Sequence, residues 1–193
     1  MNAELAACQD VTGFDATRLE RVFDRCFLAD YRTCLRGGAL EPLYQPSTQD
    51  DQPNVLWYRE DFFASALHEV AHWCIAGDDR RQQVDFGYWY APDGRDATQQ
   101  AAFEAVERKP QALEWYFSLA CGYRFRLSAD NLGAGEGELP DDSVFRSAVC
   151  AQALRWRRDG LPTRAQHFFA ALCAEFRSGL SIATLNFSEE RLL

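Results

Sequence analysis

The sequence has no apolar run approaching the roughly 18 uncharged residues of a membrane span, so no membrane helix is expected. Its opening residues, MNAELAACQD, lack a basic cluster followed by an apolar stretch, so no signal peptide is expected either. No two of the seven cysteines form a CxxC pair. They stand at positions 8, 26, 34, 74, 121, 150 and 173, mostly inside apolar helical runs, as reduced core residues of a cytoplasmic protein would. An excess of positive charge is missing too. Twenty Lys and Arg face 29 Asp and Glu, for a net charge of −9. That excludes a general nucleic-acid binder, which needs a basic stripe, and by itself says little about a basic partner. There is no internal repeat and no low-complexity segment. Histidine is scarce, with three in 193 residues.

What remains is an ordinary globular composition, 47% hydrophobic and 25% charged, with a 13% aromatic share able to wall a pocket. The length suits one core, read as a single domain over residues 1–193, with 1–15 and 178–193 peripheral. Leu19, Val22, Phe23, Cys26 and Phe27 recur at helical spacing behind a cap at Asp15 or Thr17. Gly37-Gly38 and the proline-containing stretch 41–53 read as irregular. A second helix is predicted from Arg59 or Glu60 to Ala76, striped by Phe62, Phe63, Ala66, Leu67, Val70 and Ile75 and capped by Gly77. VDFGYWY, residues 84–90, reads as a strand closing on a turn at 92–94. Residues 97–108 read as helix, Pro110 as a new first turn or a kink, and 111–121 as its continuation. An acidic glycine-rich loop at 133–137 precedes helices near 141–159 and 163–177. The fold class is α+β, mostly helical with a small sheet.

Two of the three histidines stand in Ala66-Leu67-His68-Glu69-Val70-Ala71-His72-Trp73, an H-E-x-x-H motif. Residues four apart share one helix face, so both imidazoles can reach one ion, and Glu69 on the adjacent face can reach a water bound to it. An apolar helix that buried two imidazoles and a carboxylate without a partner would be costly to fold. The third histidine, His167, lies in an amphipathic helix and reads as a surface or core residue, not a ligand.

A two-histidine site calls for a carboxylate, and Asp85, Asp93, Asp96, Glu104, Glu107 and Glu114 are within plausible reach. Helix-borne ligands are held more rigidly than loop-borne ones. Glu107 is favoured, because Gln111 one turn on would set its amide beside the ligand as a supporting hydrogen-bond partner. Glu104, on nearly the same face, stands next.

This set supports two chemistries. With zinc, Glu69 is the general base of a hydrolase or peptidase, and the motif's spacing alone favours that reading. With ferrous iron, two histidines and a carboxylate leave positions for O2 and substrate. A third possibility, a structural zinc in a binding module, needs a fourth ligand, and the nearby Cys74 lies on a different side of the helix.

The residues around the motif favour oxidation. HEVAHWCIAGDDRRQQVDFGYWYAPDGRD, residues 68–96, closely resembles the elongation factor P hydroxylase family. So does FEAVERKPQALEW, residues 103–115, and more loosely Ala129-Asp130-Asn131-Leu132. The likeness covers most of residues 20–175. It implies a zincin-like metal-binding helix put to oxidative use, in an iron-dependent monooxygenase-type hydroxylase of the β-lysylated lysine of elongation factor P. O2 would be the co-substrate, no 2-oxoglutarate is to be assumed, and zinc could replace iron during isolation. His68 and His72 match the family's paired ligands, and Glu107 or Glu104 its carboxylate. Tyr88, Trp89 and Tyr90 are candidates to line a channel for the lysine's methylenes, or ordinary core aromatics on a strand. Asp85 and Asp96 are candidates to pair with its amines, while Asp93 better suits a turn cap. Arg80-Arg81 reads as a helix C-terminal cap or a contact to the partner protein.

Overall fold

Asp15 starts the first helix, its carboxylate accepting from Thr17 N at 2.8 Å as an N-cap should. This helix, α1 (Ala16–Tyr31), turns Leu19, Val22, Phe23, Cys26 and Phe27 inward. The computed structural model describes residues 13–85, 95–128 and 142–192. Arg32 takes a left-handed conformation (φ 49°), and the chain runs directly into β1 (Thr33–Ala39). Next come β2 (Leu43–Gln45) and β3 (Asn54–Arg59). The sheet order is β1-β3-β2, with β1 parallel and β2 antiparallel to the central β3.

The sheet corrects the irregular reading of Gly37-Gly38 and 41–53 at 37–38, which belong to β1, and at 43–45, which form β2, while 46–53 lie outside any strand. Pro42, Pro46 and Pro53 each fall just outside a strand, where the missing N–H removes no ladder bond. Gly37 lies in the irregularity of β1 between Arg36 and Ala39, where nothing larger fits. A Cβ there would meet Glu60 O at 2.5 Å and the Tyr58 ring at 2.7 Å. Of the strand expected at 84–90, Asp85 pairs its backbone with Tyr44 in both directions, at 2.7 and 3.0 Å. Tyr88, Trp89, Tyr90, the turn at 92–94 and the loop at 133–137 lie outside the described residues.

The helix carrying the motif, α2 (Phe63–Ile75), begins later than predicted. Arg59 still belongs to β3, and Glu60 (φ 47°) breaks the chain's direction before Phe62. Its C-terminus also differs. Ala76 leaves in an extended conformation and Gly77 is not a left-handed cap. Two arginines take over the orphan carbonyls. Arg81 Nη1 donates to Ala76 O at 2.6 Å, and Arg164 Nη2 donates to Trp73 O and Cys74 O, each at 3.2 Å, and to Ala76 O. Trp73 fixes α2 in the core, its ring 4.7 Å from Phe27 and 5.1 Å from Phe23. Such pairs contribute roughly 0.5–1.5 kcal/mol each beyond area burial.

The next helix, α3 (Ala97–Cys121), is continuous, with Pro110 inside it. Asp96 and Gln99 form a capping box at its start, and Gly122 (φ 71°) closes it in the left-handed conformation. Helices α4 (Ser143–Asp159) and α5 (Thr163–Phe176) follow, and both pack on α3. The sequence places residues 178–193 at the periphery, whereas Leu185, Phe187 and Leu192 are buried in the same core cluster. The six cysteines among the described residues are free, five of them buried. No helix of the described residues is long and apolar enough to cross a membrane.

Candidate metal centre

His68 and His72 stand four residues apart on one face of α2, and their Nε2 atoms approach to 3.0 Å. From α3, Glu107 offers one oxygen to each. Its Oε1 lies 3.2 Å from His72 Nε2 and its Oε2 lies 3.5 Å from His68 Nε2. Among the described residues these three form the group whose possible ligand atoms all lie within 4.8 Å of one another. Glu107 is 2% exposed, with the buried Phe103 and Gln111 one turn to either side of it on α3.

The spacing fits one ion. An ion about 2.1 Å from nitrogen and oxygen ligands sets them about 3.0 Å apart at right angles and about 3.4 Å apart at the tetrahedral angle. The observed separations, 3.0, 3.2 and 3.5 Å, run from the right-angle value to just past the tetrahedral one, the two to Glu107 being made by its two different oxygens. Two neutral imidazoles and one carboxylate carry a single negative charge, which a divalent cation would more than balance.

The other carboxylates are sorted by their neighbours. Glu104 accepts from Gln100 Nε2 at 3.0 Å, is only partly buried, and is not in the group. Gln111 does not support Glu107 as predicted. Both ends of its amide close on Ser128, Nε2 donating to Ser128 O at 2.7 Å and Oε1 accepting from Ser128 N at 3.0 Å. Glu114 takes an unexpected place. Its Oε2 lies 2.8 Å from Nδ1 of His68, on the side of the ring away from Glu107. Glu107, Gln111 and Glu114 recur at helical spacing, so their shared face was readable, but which neighbour each would meet was not.

Glu69 lines a cleft between α2 and the sheet, together with His72, Trp73, Tyr44, Leu56 and Asp85. Burial pushes its carboxyl above the usual range and the charges of Glu107 and Glu114 push the same way, against the two histidines. Glu114 is likewise raised, chiefly by burial. Burial opposes charge on His68, but the bond to Glu114 and the charges of Glu114, Glu107 and Glu69 outweigh it and hold its pKa at about 10.

Asp85, at the rim of this cleft, is ion-paired with Arg80 Nε. Asp96 is at the start of α3, its carboxylate accepting from Gln99 N at 2.8 Å. Arg81 pairs with Asp78 as well as capping α2. His167 is exposed, its ring 5.6 Å from Phe27, and belongs to no ligand group among the described residues. Cys74 points into the core and is not a ligand in the group.

Residues 22–187 match the family described as elongation factor P hydroxylase. A protein of Haemophilus influenzae named Elongation factor P lysine hydroxylase is 45% identical over 153 residues, covering 79% of this chain and 84% of that protein. A match over most of the chain, with such a relative spanning both site helices, establishes that the chain belongs to the elongation factor P hydroxylase family.

Proposed function

We propose that this chain is a metal-dependent oxidoreductase that hydroxylates the β-lysylated lysine of elongation factor P, with His68, His72 and Glu107 holding one ferrous ion. The reading is carried by the conjunction of a two-histidine, one-carboxylate group with membership of a hydroxylase family. The name of the Haemophilus influenzae relative supports a lysine of elongation factor P as the substrate, and the β-lysyl group on it comes from the family resemblance alone. Such a substrate would put the reaction in the cytoplasm, where translation takes place. Bound iron would supply activation of O2 at positions the three protein ligands leave open.

Inserting oxygen into a C–H bond consumes O2, two electrons and two protons, and yields the alcohol and water. The protein's part is to bind the lysine arm, keep bulk water from the site and deliver protons. Glu69 borders both His72 and the cleft, so its carboxyl oxygens are placed to carry a proton between them. Tyr44, Leu56 and Trp73 give the cleft an apolar wall for methylenes, and Asp85 at the rim offers a carboxylate to an amine, shared with Arg80.

The test is a mass measurement on modified elongation factor P after incubation with the protein, Fe(II), O2 and ascorbate as two-electron reductant, with no 2-oxoglutarate added. The expected result is a gain of one oxygen that disappears without iron or without O2. Absence of the gain with folded, iron-loaded protein overturns the reading.

A second reading, zinc-dependent hydrolysis, is favoured by Glu69 lining the cleft beside His72, as a general base for a bound water would. Peptide cleavage by the zinc-loaded protein, lost in Glu69→Gln, would support it. Zinc content alone would not, because zinc competes strongly for nitrogen and oxygen ligands during purification.

A further inference from the structure

We propose that Glu114 is a positioning residue that fixes His68 with its Nε2 toward the metal. This inference rests on the metal reading above and assigns a role to a residue outside the ligand set.

The argument begins in α3. Glu114 comes two turns after Glu107 on the same face, so one helix presents two carboxylates to one partner. The helix has no slack there. Ala112, Leu113, Tyr116 and Phe117 are fully buried, which fixes the backbone carrying Glu114. His68 sits between the two carboxylates. Its Nε2 is 3.5 Å from Glu107 Oε2 and its Nδ1 is 2.8 Å from Glu114 Oε2.

A carboxylate only accepts, so the proton in the shorter contact sits on Nδ1. In the neutral ring this leaves the Nε2 lone pair facing Glu107 and His72, the orientation a shared ion requires. An ion pair that served stability alone would be satisfied by either ring nitrogen. Here the carboxylate bonds to the nitrogen opposite the other two ligand atoms.

The two histidines are also unequal. Among the described residues His68 has a carboxylate behind it, whereas the contacts of His72 run through Nε2 and its ring borders the cleft. Glu114 therefore makes His68 the more firmly held ligand, and leaves His72 on the substrate side.

The test is a Co(II) titration of the unsubstituted protein, Glu114→Gln and Glu114→Leu, with the visible spectrum reporting coordination and the metal-free melting temperature recorded for each. Gln keeps an oxygen that accepts from Nδ1–H but loses the charge. Leu loses both. The expected result is Co(II) binding weakened about 10–100-fold in Glu114→Leu, with a smaller loss in Glu114→Gln. A slowly exchanging Nδ1–H proton of His68 should be seen by NMR in the unsubstituted protein and Glu114→Gln, and be lost in Glu114→Leu. If Glu114→Leu does not fold, Glu114→Ala, which also removes the acceptor, takes its place, and unchanged affinity in that variant overturns the assignment. Co(II) binding undiminished in folded variants, with only the melting temperature lowered, overturns the role of Glu114 and leaves the metal site standing. No Co(II) binding by the unsubstituted protein overturns both.

Discussion

Glu107 Oε1 lies 3.2 Å from His72 Nε2, joining α3 to the one face of α2 that the core does not claim. Beside His72, Trp73 packs against Phe23 and Phe27, and Arg81 and Arg164 pin the last-turn carbonyls. The histidines therefore sit on a helix braced on its core face and at its C-terminal end. Glu107 is a fully buried acid brought to them by a second rigid helix. Preorganisation of this kind lets a three-ligand site bind an ion without reordering the chain.

Glu107 and Glu104 should therefore separate cleanly. Glu107→Ala removes a ligand atom from each of two close approaches, and metal affinity should fall by more than about 100-fold, beyond the usual cost of losing a supporting hydrogen bond. Glu104→Ala frees only Gln100 Nε2 at a partly exposed position and should bind metal like the unsubstituted protein. Isothermal titration with Co(II) or Zn(II) checks both. Equal losses in the two variants would mean that the carboxylate ligand is misassigned.

Glu69 is predicted to act without being needed for metal binding. It faces the cleft and is outside the group of three ligand atoms. Glu69→Gln preserves shape and should retain the ion, while turnover should fall at least about 100-fold, the lower range for loss of a general acid or base. The two readouts are metal content and the one-oxygen mass gain on elongation factor P. Turnover unchanged by the substitution removes Glu69 from proton delivery.

The motif helix was legible because the spacing of His68 and His72 fixes their common face wherever the helix packs. The fold class was legible for a similar reason, since α1, α3, α4 and α5 carry their own periodicity, with side-chain caps at the starts of α1 and α3. The sheet was not. Local signals at Gly37, Gly38, Pro42 and Pro46 point to loops, and only the long-range pairing of Thr33–Arg36 with Asn54–Trp57 makes β1 a strand. Glu114 was visible as a carboxylate in reach, but its bond to Nδ1 depends on which side of His68 α3 passes. Gln111 failed as a partner for Glu107 because the backbone of Ser128 takes both ends of its amide.

Asp96 gives a direct separation of capping from charge. Its carboxylate accepts from Gln99 N at 2.8 Å, and Gln99 Oε1 accepts from Asp96 N at 3.0 Å. Asp96→Ala should destabilise the protein by about 1 kcal/mol, whereas Asp96→Asn, itself a good N-cap, should come close to neutral. Urea unfolding gives the comparison. If an amine of the substrate binds this carboxylate, the pattern inverts in kinetics, because KM would then rise in Asp96→Asn as much as in Asp96→Ala.

Phe187 tests the segment that the sequence leaves at the periphery. Its ring is 4% exposed, 4.7 Å from Trp115 and 4.5 Å from Tyr116. Those two residues flank the part of α3 that carries Glu114, and Arg157 Nη1 holds the nearby Leu185 O at 2.7 Å. The C-terminal segment is therefore a wall of the core behind the site helix, although no helical or strand periodicity announces it. Phe187→Ala should destabilise by about 3–5 kcal/mol, the usual range for emptying a fully buried phenylalanine site. Removing residues 178–193 should cost more, since Leu185 and Leu192 leave with it. Thermal unfolding of the metal-free protein measures both. A loss under about 1 kcal/mol for Phe187→Ala would mean that this segment does not pack against Trp115 and Tyr116 in solution.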